Sequence, residues 1–377
     1  MKVLIQGAGI AGLTLAREFH MRGIEFLVVE RAPQITPVGA GITLGANALA
    51  CLSRILPIEH LINRGASLEK MLVLDQRGNT LSEAPSRISD SDRSAIAIHR
   101  HALHNCLIDG LPKDSMLLET SIQSFTPAAQ GVVVTLSNGS TAHYSLLVGA
   151  DGLKSDIRQR MFPNIQTRYS GYTCWRTICN SSPTQKNVAV EMLGRGRRLG
   201  IVPIGQNQTY VFATLNTTMQ AHLSRRTNQS LQDVMRLFAD FGGDAPRILG
   251  SIHPQTKLIH NDLEEVVLDE WTRDRIVLIG DAAHGMTPNL GQGAAMGIED
   301  AVVLARVWAD APRPESLKTY ERLRRPRVRW IQDSSRSLGK FAQVENAVAC
   351  WIRDMTFKLT PTSVMRRNVA KIIAHVP

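Results

Sequence analysis

The stretch that decides the fold is residues 2–30, KVLIQGAGIAGLTLAREFHMRGIEFLVVE. It opens with a short apolar run, KVLIQ, which reads as a strand. GAGIAG follows, then LTLAREFHMRG, in which Leu13, Ala16, Phe19 and His20 fall on one helical face. EFLVVE reads as a second strand ending on the acid Glu30. Strand, G-x-G-x-x-G, helix, strand and acid within about 30 residues are the parts of a dinucleotide-binding unit. Gly7 permits the tight turn, Gly9 lets backbone N–H groups approach a pyrophosphate, and Gly12 lets helix and strand pack closely. The helix start turns its positive dipole end toward the phosphates. Glu30 can accept both hydroxyls of an adenosine ribose, which selects FAD or NAD over NADP.

Two later stretches also run from a strand into a glycine-bearing turn. HYSLLVGA (143–150) reads as a strand and continues into DGLKSDIR, giving A-D-G-x-x-S-x-x-R as Ala150, Asp151, Gly152, Ser155 and Arg158. Ser155 is suited to cap a helix there. RIVLI (275–279) ends in GDAAHGMTPNLGQGAAMGIED (280–300), where a Pro/Gly-rich turn restarts as a small-residue helix over Gly293–Ala309. Asp281, His284, Glu299 and Asp300 raise the question of a metal. They lack a recurring ligand spacing, and the last two lie turns away down the helix. The stretch reads instead as backbone presented to a flat, charged cofactor, with no metal.

In this order the three patterns resemble the group A flavoprotein monooxygenases, the para-hydroxybenzoate hydroxylase-like family. The resemblance implies an α/β fold with a Rossmann-like FAD-binding lobe, a β-sheet-rich substrate lobe and C-terminal helices. It implies that the first motif holds the ADP half of FAD. The middle motif, with Asp151 and Gly152, serves FAD and the transient nicotinamide nucleotide. On that mapping Asp281 accepts a hydrogen bond from a ribityl hydroxyl and Pro288 sits against the ring. The N–H groups around Leu290 and Gly291 face the N1–C2=O edge, as an oxyanion hole would. In IHRHALHNCL (98–107), Arg100 takes the place of the family's FAD-reaching arginine, and His99, His101 and His104 read as helix surface and core. Arg31, after Glu30, and the run GAGITLGANAL (39–49) complete the set, with Gly41 at the cofactor and Leu44 and Asn47 on the substrate side.

The resemblance also implies the chemistry. NADH or NADPH reduces FAD, the reduced flavin activates O2 at C4a, and an electron-rich ring carbon receives one oxygen atom. Such a site must exclude water. An apolar roof is therefore expected, with Trp175, Ile201, Pro203 and Phe212 as candidates that read equally well as ordinary core. No catalytic acid or base is mapped, and His284 reads as a cofactor-loop residue rather than a proton shuttle. GRGRRLG (194–200) lacks a following helix and acid, so no separate nicotinamide-nucleotide domain is expected. Gln6 inside the first strand, YTCWR (172–176) and LIHNDLEE (258–265) are more specific. With the motifs above they resemble the family members that hydroxylate 2-alkyl-4-quinolones at C3, over the chain to about residue 355. That implies a small aromatic substrate with an alkyl tail; salicylate- and hydroxynicotinate-type rings stand as the alternative, and a non-hydroxylating flavoprotein as a third reading.

At 377 residues the chain exceeds one ordinary domain. The FAD lobe is expected to be discontinuous, over about 1–70, 99–168 and 271–345, with the substrate lobe over about 71–98 and 169–270. The second lobe reads as strands: MLVLD, YTCWRTIC, NVAVEML, RRLGIVPI and TYVFATL. The formal charge is +10, and bases cluster at GRGRR (194–198), SRR (224–226) and RLRRPRVR (322–329). None is interleaved with aromatics, so the reading is solvated surface attracting phosphorylated small molecules, not nucleic acid. No run approaches the roughly 18 apolar residues of a spanning helix, and no signal peptide opens the chain. Five cysteines without a C-x-x-C pair fit reduced thiols, hence a soluble cytoplasmic protein. After about residue 346 the chain reads as helical, with Trp351, Ile352, Met355 and Leu359 at helical spacing among Arg353, Lys358, Arg366 and Arg367. Either that stripe packs on the core or it lies on a membrane surface.

Overall fold

The computed structural model describes residues 2–35, 40–87, 94–218 and 230–373. The basic cluster at 224–226 and the first residue of the 39–49 run therefore lie outside the described residues. A six-stranded sheet runs in the order Thr272–Arg273, Ile276–Leu278, Leu146–Gly149, Val3–Gln6, Phe26–Val29, Met116–Leu117. All its pairings are parallel except that of Thr272–Arg273 with Ile276–Leu278. Its central strands VLIQ, FLVV and LLVG are buried at every position, as parallel strands covered on both faces should be. The helices Ile10–Met21 and Gly293–Asp310 pack against each other beside it. His20, in the last turn of the first helix, is exposed rather than on the packed face with Leu13, Ala16 and Phe19.

The second large sheet has seven strands, in the order Ile259–Glu265, Arg168–Cys179, Thr209–Asn216, Arg197–Pro203, Val188–Leu193, Lys70–Asp75, Thr80–Pro85. It is antiparallel except between Val188–Leu193 and Lys70–Asp75. Two three-stranded sheets complete the β structure. One joins Gly41–Leu44, Ala95–His99 and Gly65–Leu68. Ala95–Ile98, grouped by sequence with the substrate segment, thus pairs with the strand that follows the dinucleotide unit. The other joins Thr141–Tyr144, Gly131–Leu136 and Ile122–Ala128. HYSLLVGA is therefore two strands, broken at Ser145, that serve different sheets.

Successive side chains leave a strand on opposite faces, so register decides what each residue of the seven-stranded sheet meets. Trp175 pairs with Ala213, and Ile201 with Val211 and Val190. These residues form a core with Phe238, Phe241 and Ile248, under the helices Leu231–Leu237 and Ala245–Gly250. Tyr172, Cys174, Arg176, Tyr210 and Phe212 occupy the opposite face. That face meets the FAD lobe: the Tyr210 ring lies so close to Gly41 that a Cβ there would stand 2.5 Å from Tyr210 Cγ.

The C-terminal helices Ala347–Leu359 and Thr362–Ile373 pack on the edge strand Thr80–Pro85, covering an edge that would otherwise be open. The first is capped by Asn346, whose Oδ1 accepts from the Val348 and Ala349 N–H groups. It docks through Cys350, Arg353 and Phe357; the Arg353 guanidinium donates to the carbonyls of Gly194 (2.8 Å) and Ala342 (3.1 Å). The stripe of Trp351, Ile352 and Leu359 is not the packed face: it points to solvent. Among the described residues no helix is long and apolar enough to cross a membrane.

Candidate functional site

The site begins where Val3–Gln6 ends. Gly7 has φ +108°, and a Cβ there would stand 2.4 Å from the Ala150 carbonyl oxygen; at Gly12 it would stand 2.1 Å from the Gly7 carbonyl oxygen. Glycine is thus required for strand, turn and helix to meet. Around Gly9 there is open space, since a Cβ would meet nothing within 4 Å. The helix that follows has no side-chain cap, so its first N–H groups are left to an incoming acceptor. Glu30 bridges the turn: Oε2 accepts from the Ala8 N–H at 2.9 Å and Oε1 from the Ala32 N–H at 3.0 Å. Arg31 beside it is exposed.

The middle motif builds a short helix, Asp156–Met161, capped by Ser155, whose hydroxyl accepts from the Arg158 N–H at 2.9 Å. Arg158 is buried and donates to the carbonyls of Leu153 (2.5 Å) and Ala282 (3.0 Å). It is a strut between this motif and the GDAAH turn, a role its sequence position did not disclose. Asp151 accepts from the Ile157 N–H at 3.2 Å through Oδ2, while Oδ1 is buried without a protein partner. Burial raises its carboxyl above the ordinary range. Gly152 borders open space.

In the third stretch a turn of helix, Asp281–His284, leads to the 3-10 turn Pro288–Leu290, and Gly291 adopts a left-handed φ of 63° before the long helix begins. Asp281, Pro288 and Gly291 are exposed, and Leu290 is half-buried. Asn289, not singled out from sequence, pins the turn. Its Nδ2 donates to the Ser335 carbonyl (2.8 Å) and the Tyr172 hydroxyl (2.9 Å), and its Oδ1 accepts from Arg198 at 2.8 Å. The open space at Gly9 and Gly152, the unpartnered Asp151 oxygen and this exposed loop fit an extended dinucleotide.

Beneath the loop lies a buried polar network. Asp300 accepts from the Gly280 N–H (3.0 Å), His284 Nε2 (2.5 Å) and Arg324 Nε (2.8 Å). Glu299 accepts from Arg324 (2.6 Å), Arg327 (2.8 Å) and Asn47 Nδ2 (2.7 Å). Burial alone would raise both carboxyls. The charges and hydrogen bonds of His284 and Arg324 bring Asp300 down to about 2, and Arg327 and Arg324 hold Glu299 below its ordinary value. Two of the acids that raised the question of a metal, Glu299 and Asp300, are therefore met by arginines. RLRRPRVR, read as solvated surface, places Arg324 wholly inside and Arg327 largely so. Both belong to the helix Pro314–Ala342, which also holds the loop through Gln332, donating to the carbonyls of Val266 (2.7 Å) and His284 (3.1 Å).

The remaining expected site residues divide. Gly41 meets Tyr210, and Arg100 starts the helix Arg100–Ile108 with its N–H on the Ala40 carbonyl. His99 caps that helix. His104 is buried, and burial, then Arg100 and His101, lower its imidazole to about 4, leaving it neutral. Leu44 is in the core of the FAD lobe, and Asn47 gives its amide to Glu299 and Gln292. Asn47 is thus turned into the support of the loop. Of the four expected roof residues, only Phe212 is on the inner face. Trp175, Ile201 and, by the same alternation, Pro203 face outward, because each is an odd number of residues from an inward neighbour. Tyr210, Cys174 and Arg176 take the inner positions and were missed; strand period alone does not say which face is inner.

Three comparisons bear on this arrangement. The FAD binding domain family model matches residues 1–335. The chain is 42% identical over 376 residues to the 2-heptyl-3-hydroxy-4(1H)-quinolone synthase of Pseudomonas aeruginosa strain UCBPP-PA14, covering all of this chain and 98% of that one. It is 35% identical to the aurachin C monooxygenase/isomerase of Stigmatella aurantiaca, covering all of this chain and 99% of that one. The fold is that of Klebsiella pneumoniae HpxO, whose crystal structure holds FAD and uric acid: TM-score 0.89, 23% identity, 100% and 97% of the two chains covered. With the dinucleotide turn, the buried strut and the exposed loop all within the matched span, the chain belongs to the FAD-binding-domain family and is an FAD-dependent monooxygenase.

Proposed function

We propose that this enzyme hydroxylates a 2-alkyl-4-quinolone at C3, consuming NAD(P)H and O2, as a step in making a quinolone signal. The observation that carries this reading is the 42% identity along the whole chain to a quinolone synthase. The chemistry of the ring agrees: its nitrogen pushes electrons onto C3, the carbon an electrophilic oxygen attacks. FAD, when bound, supplies the reduction by NAD(P)H and the activation of O2. The chain's own residues bind, orient and keep water out. Glu30 takes the ribose hydroxyls, and the N–H groups at Gly9 and the uncapped helix take the pyrophosphate, with Arg31 and Arg100 beside them. Asp151 and Gly152 border the groove, Asp281 takes a ribityl hydroxyl, and Pro288 supports the ring. The Leu290 N–H would stabilise charge on its carbonyl edge, whereas the Gly291 N–H already donates to the Pro288 carbonyl at 2.9 Å.

The roof falls to the inner face of the seven-stranded sheet, where Phe212, Tyr210 and Cys174 offer apolar surface to a ring and an alkyl tail. Arg176 stands among them with a hydrogen bond to Asn261 Oδ1 at 3.3 Å. All five cysteines are free and buried, which supports a cytoplasmic setting. The test is NADH and NADPH oxidation with product mass for heptyl- and methyl-quinolone beside salicylate and a hydroxynicotinate. Coupled 3-hydroxylation of the heptyl compound is expected. Turnover of salicylate with inert quinolones would reject the substrate while leaving the flavin hydroxylase in place.

A further inference from the structure

The helix Ala347–Leu359 is apolar on both sides. Its docked side is pinned by Cys350, Arg353 and Phe357. On the other side Val348 (65% exposed), Trp351 (64%), Ile352 (51%) and Leu359 (76%) recur every three or four residues, with Met355 between them. A contiguous apolar stripe in water is not the ordinary scatter of exposed hydrophobics. Its surroundings are basic. Residues 346–373 hold five bases and one acid, Asp354, whose carboxylate accepts from Arg353 at 2.8 Å. Lys358 is exposed on the same helix; on the next, Arg367 and Lys371 share a face with exposed Val364, at spacings of three and seven.

We propose that this face docks on an anionic lipid bilayer. An apolar stripe carrying tryptophan, rimmed by lysine and arginine, matches the acyl boundary and the charged headgroups together. The net charge of +10 draws the chain toward such a surface. A second copy is the poorer occupant, because a two-fold contact would set the basic rims against each other. The opposite, packed side of the second helix rests on the cofactor lobe: the buried Ile373 lies against Gly45, at the turn between Gly41–Leu44 and the helix carrying Asn47. An apolar substrate held in the bilayer would thus meet the enzyme beside its cofactor lobe. The docking itself does not depend on which ring is hydroxylated.

The experiment uses the full FAD-loaded chain and vesicles of phosphatidylcholine with or without phosphatidylglycerol, read by co-sedimentation at low and high salt. Partition onto phosphatidylglycerol vesicles should exceed that onto phosphatidylcholine at least tenfold and fall with salt. Trp351→Ser with Ile352→Ser and Leu359→Ser should lower it at least tenfold, with bound FAD and NAD(P)H oxidation in solution unchanged. Arg367→Glu with Lys371→Glu should remove the preference for the anionic lipid. Equal partition onto both vesicles, no binding to either, or unchanged binding by the stripe variant would overturn the proposal. So would a dimer, seen by light scattering, that Trp351→Ser splits.

Discussion

In the proposed function the two large sheets meet their ligands in opposite ways. The six-stranded, mainly parallel sheet uses the ends of its strands, where Gly7, Gly9 and the loop before Gly291 present backbone groups, and side chains below hold that backbone in place. The seven-stranded sheet uses a face, so its contribution is side chains chosen by alternation. The first kind of site depends on scaffolding remote from the ligand. The second depends on parity: moving a role by one residue sends it into the outer core.

The largest effect should come from the scaffold. Arg324→Ala would leave Glu299 and Asp300 buried with one of the three partners of each gone, a loss of about 3–5 kcal/mol in a denaturant titration. FAD should be released with it, because Asp300 holds Gly280 and His284 at the start of the cofactor loop. Lysine should not restore either property, since Arg324 spans two carboxylates from different nitrogens. Acid sharpens the point. The Asp300 carboxyl sits at about 2 in the folded chain against an ordinary 3.8. Because it is depressed, its contribution is complete above a pH of about 4 and is lost as pH falls toward about 2. Wild type should lose stability more steeply in that window than Asp300→Asn.

Next comes a pair of substitutions that tests the two faces directly. Trp175→Ala empties a large site in the outer core, where the indole stacks on His260 at 5.0 Å, and should cost about 3–5 kcal/mol of stability. KM for the aromatic substrate should stay as it is. Phe212→Ala, on the inner face, should raise KM with a smaller loss of stability. A Trp175→Ala enzyme of normal stability and raised KM would reverse the assignment of faces.

The same contrast explains what could be read before the structure. A backbone site leaves local marks: Gly7, Gly9, Gly12 and Glu30 sit within 24 residues, and Gly280 to Gly291 within 12, so the cofactor lobe was legible. Long-range pairing leaves none. Nothing near RLRRPRVR announces that Arg324 and Arg327 face Glu299, and a basic run reads as surface. Asn47, within a cofactor run, was drawn to the substrate side although its partners are Gln292 and Glu299. For Trp175 and Ile201 the strands were right and the parity was not, because both faces of this sheet are apolar. For the C-terminal stripe, periodicity finds an apolar face but not what lies opposite it, so core packing and a membrane surface both stayed open.

A smaller effect is expected where one charged hydrogen bond is removed from the backbone site. Glu30→Ala should weaken FAD binding by about 1.5–3 kcal/mol, roughly 10- to 100-fold in Kd, measured by titrating the apoprotein. The fold should persist, because Glu30 is only half-buried and its bonds to Ala8 and Ala32 lie at the groove. Undiminished FAD affinity would mean the ribose is held elsewhere.

The smallest step concerns the face site and the tail of the proposed substrate. Tyr210, Phe212 and Cys174 can remove an alkyl chain from water but offer it no directional bond. Each methylene should therefore add the same increment, up to about 0.8 kcal/mol, or about fourfold in KM. Measured from methyl- to heptyl-quinolone, log KM should fall in nearly even steps while kcat changes little, because the tail is bound alike in the ground and transition states. Even steps that flatten in Phe212→Ala would place the tail along this face. A series with no length dependence would show that the tail stays in solvent or lipid, leaving the inner face to read the ring alone.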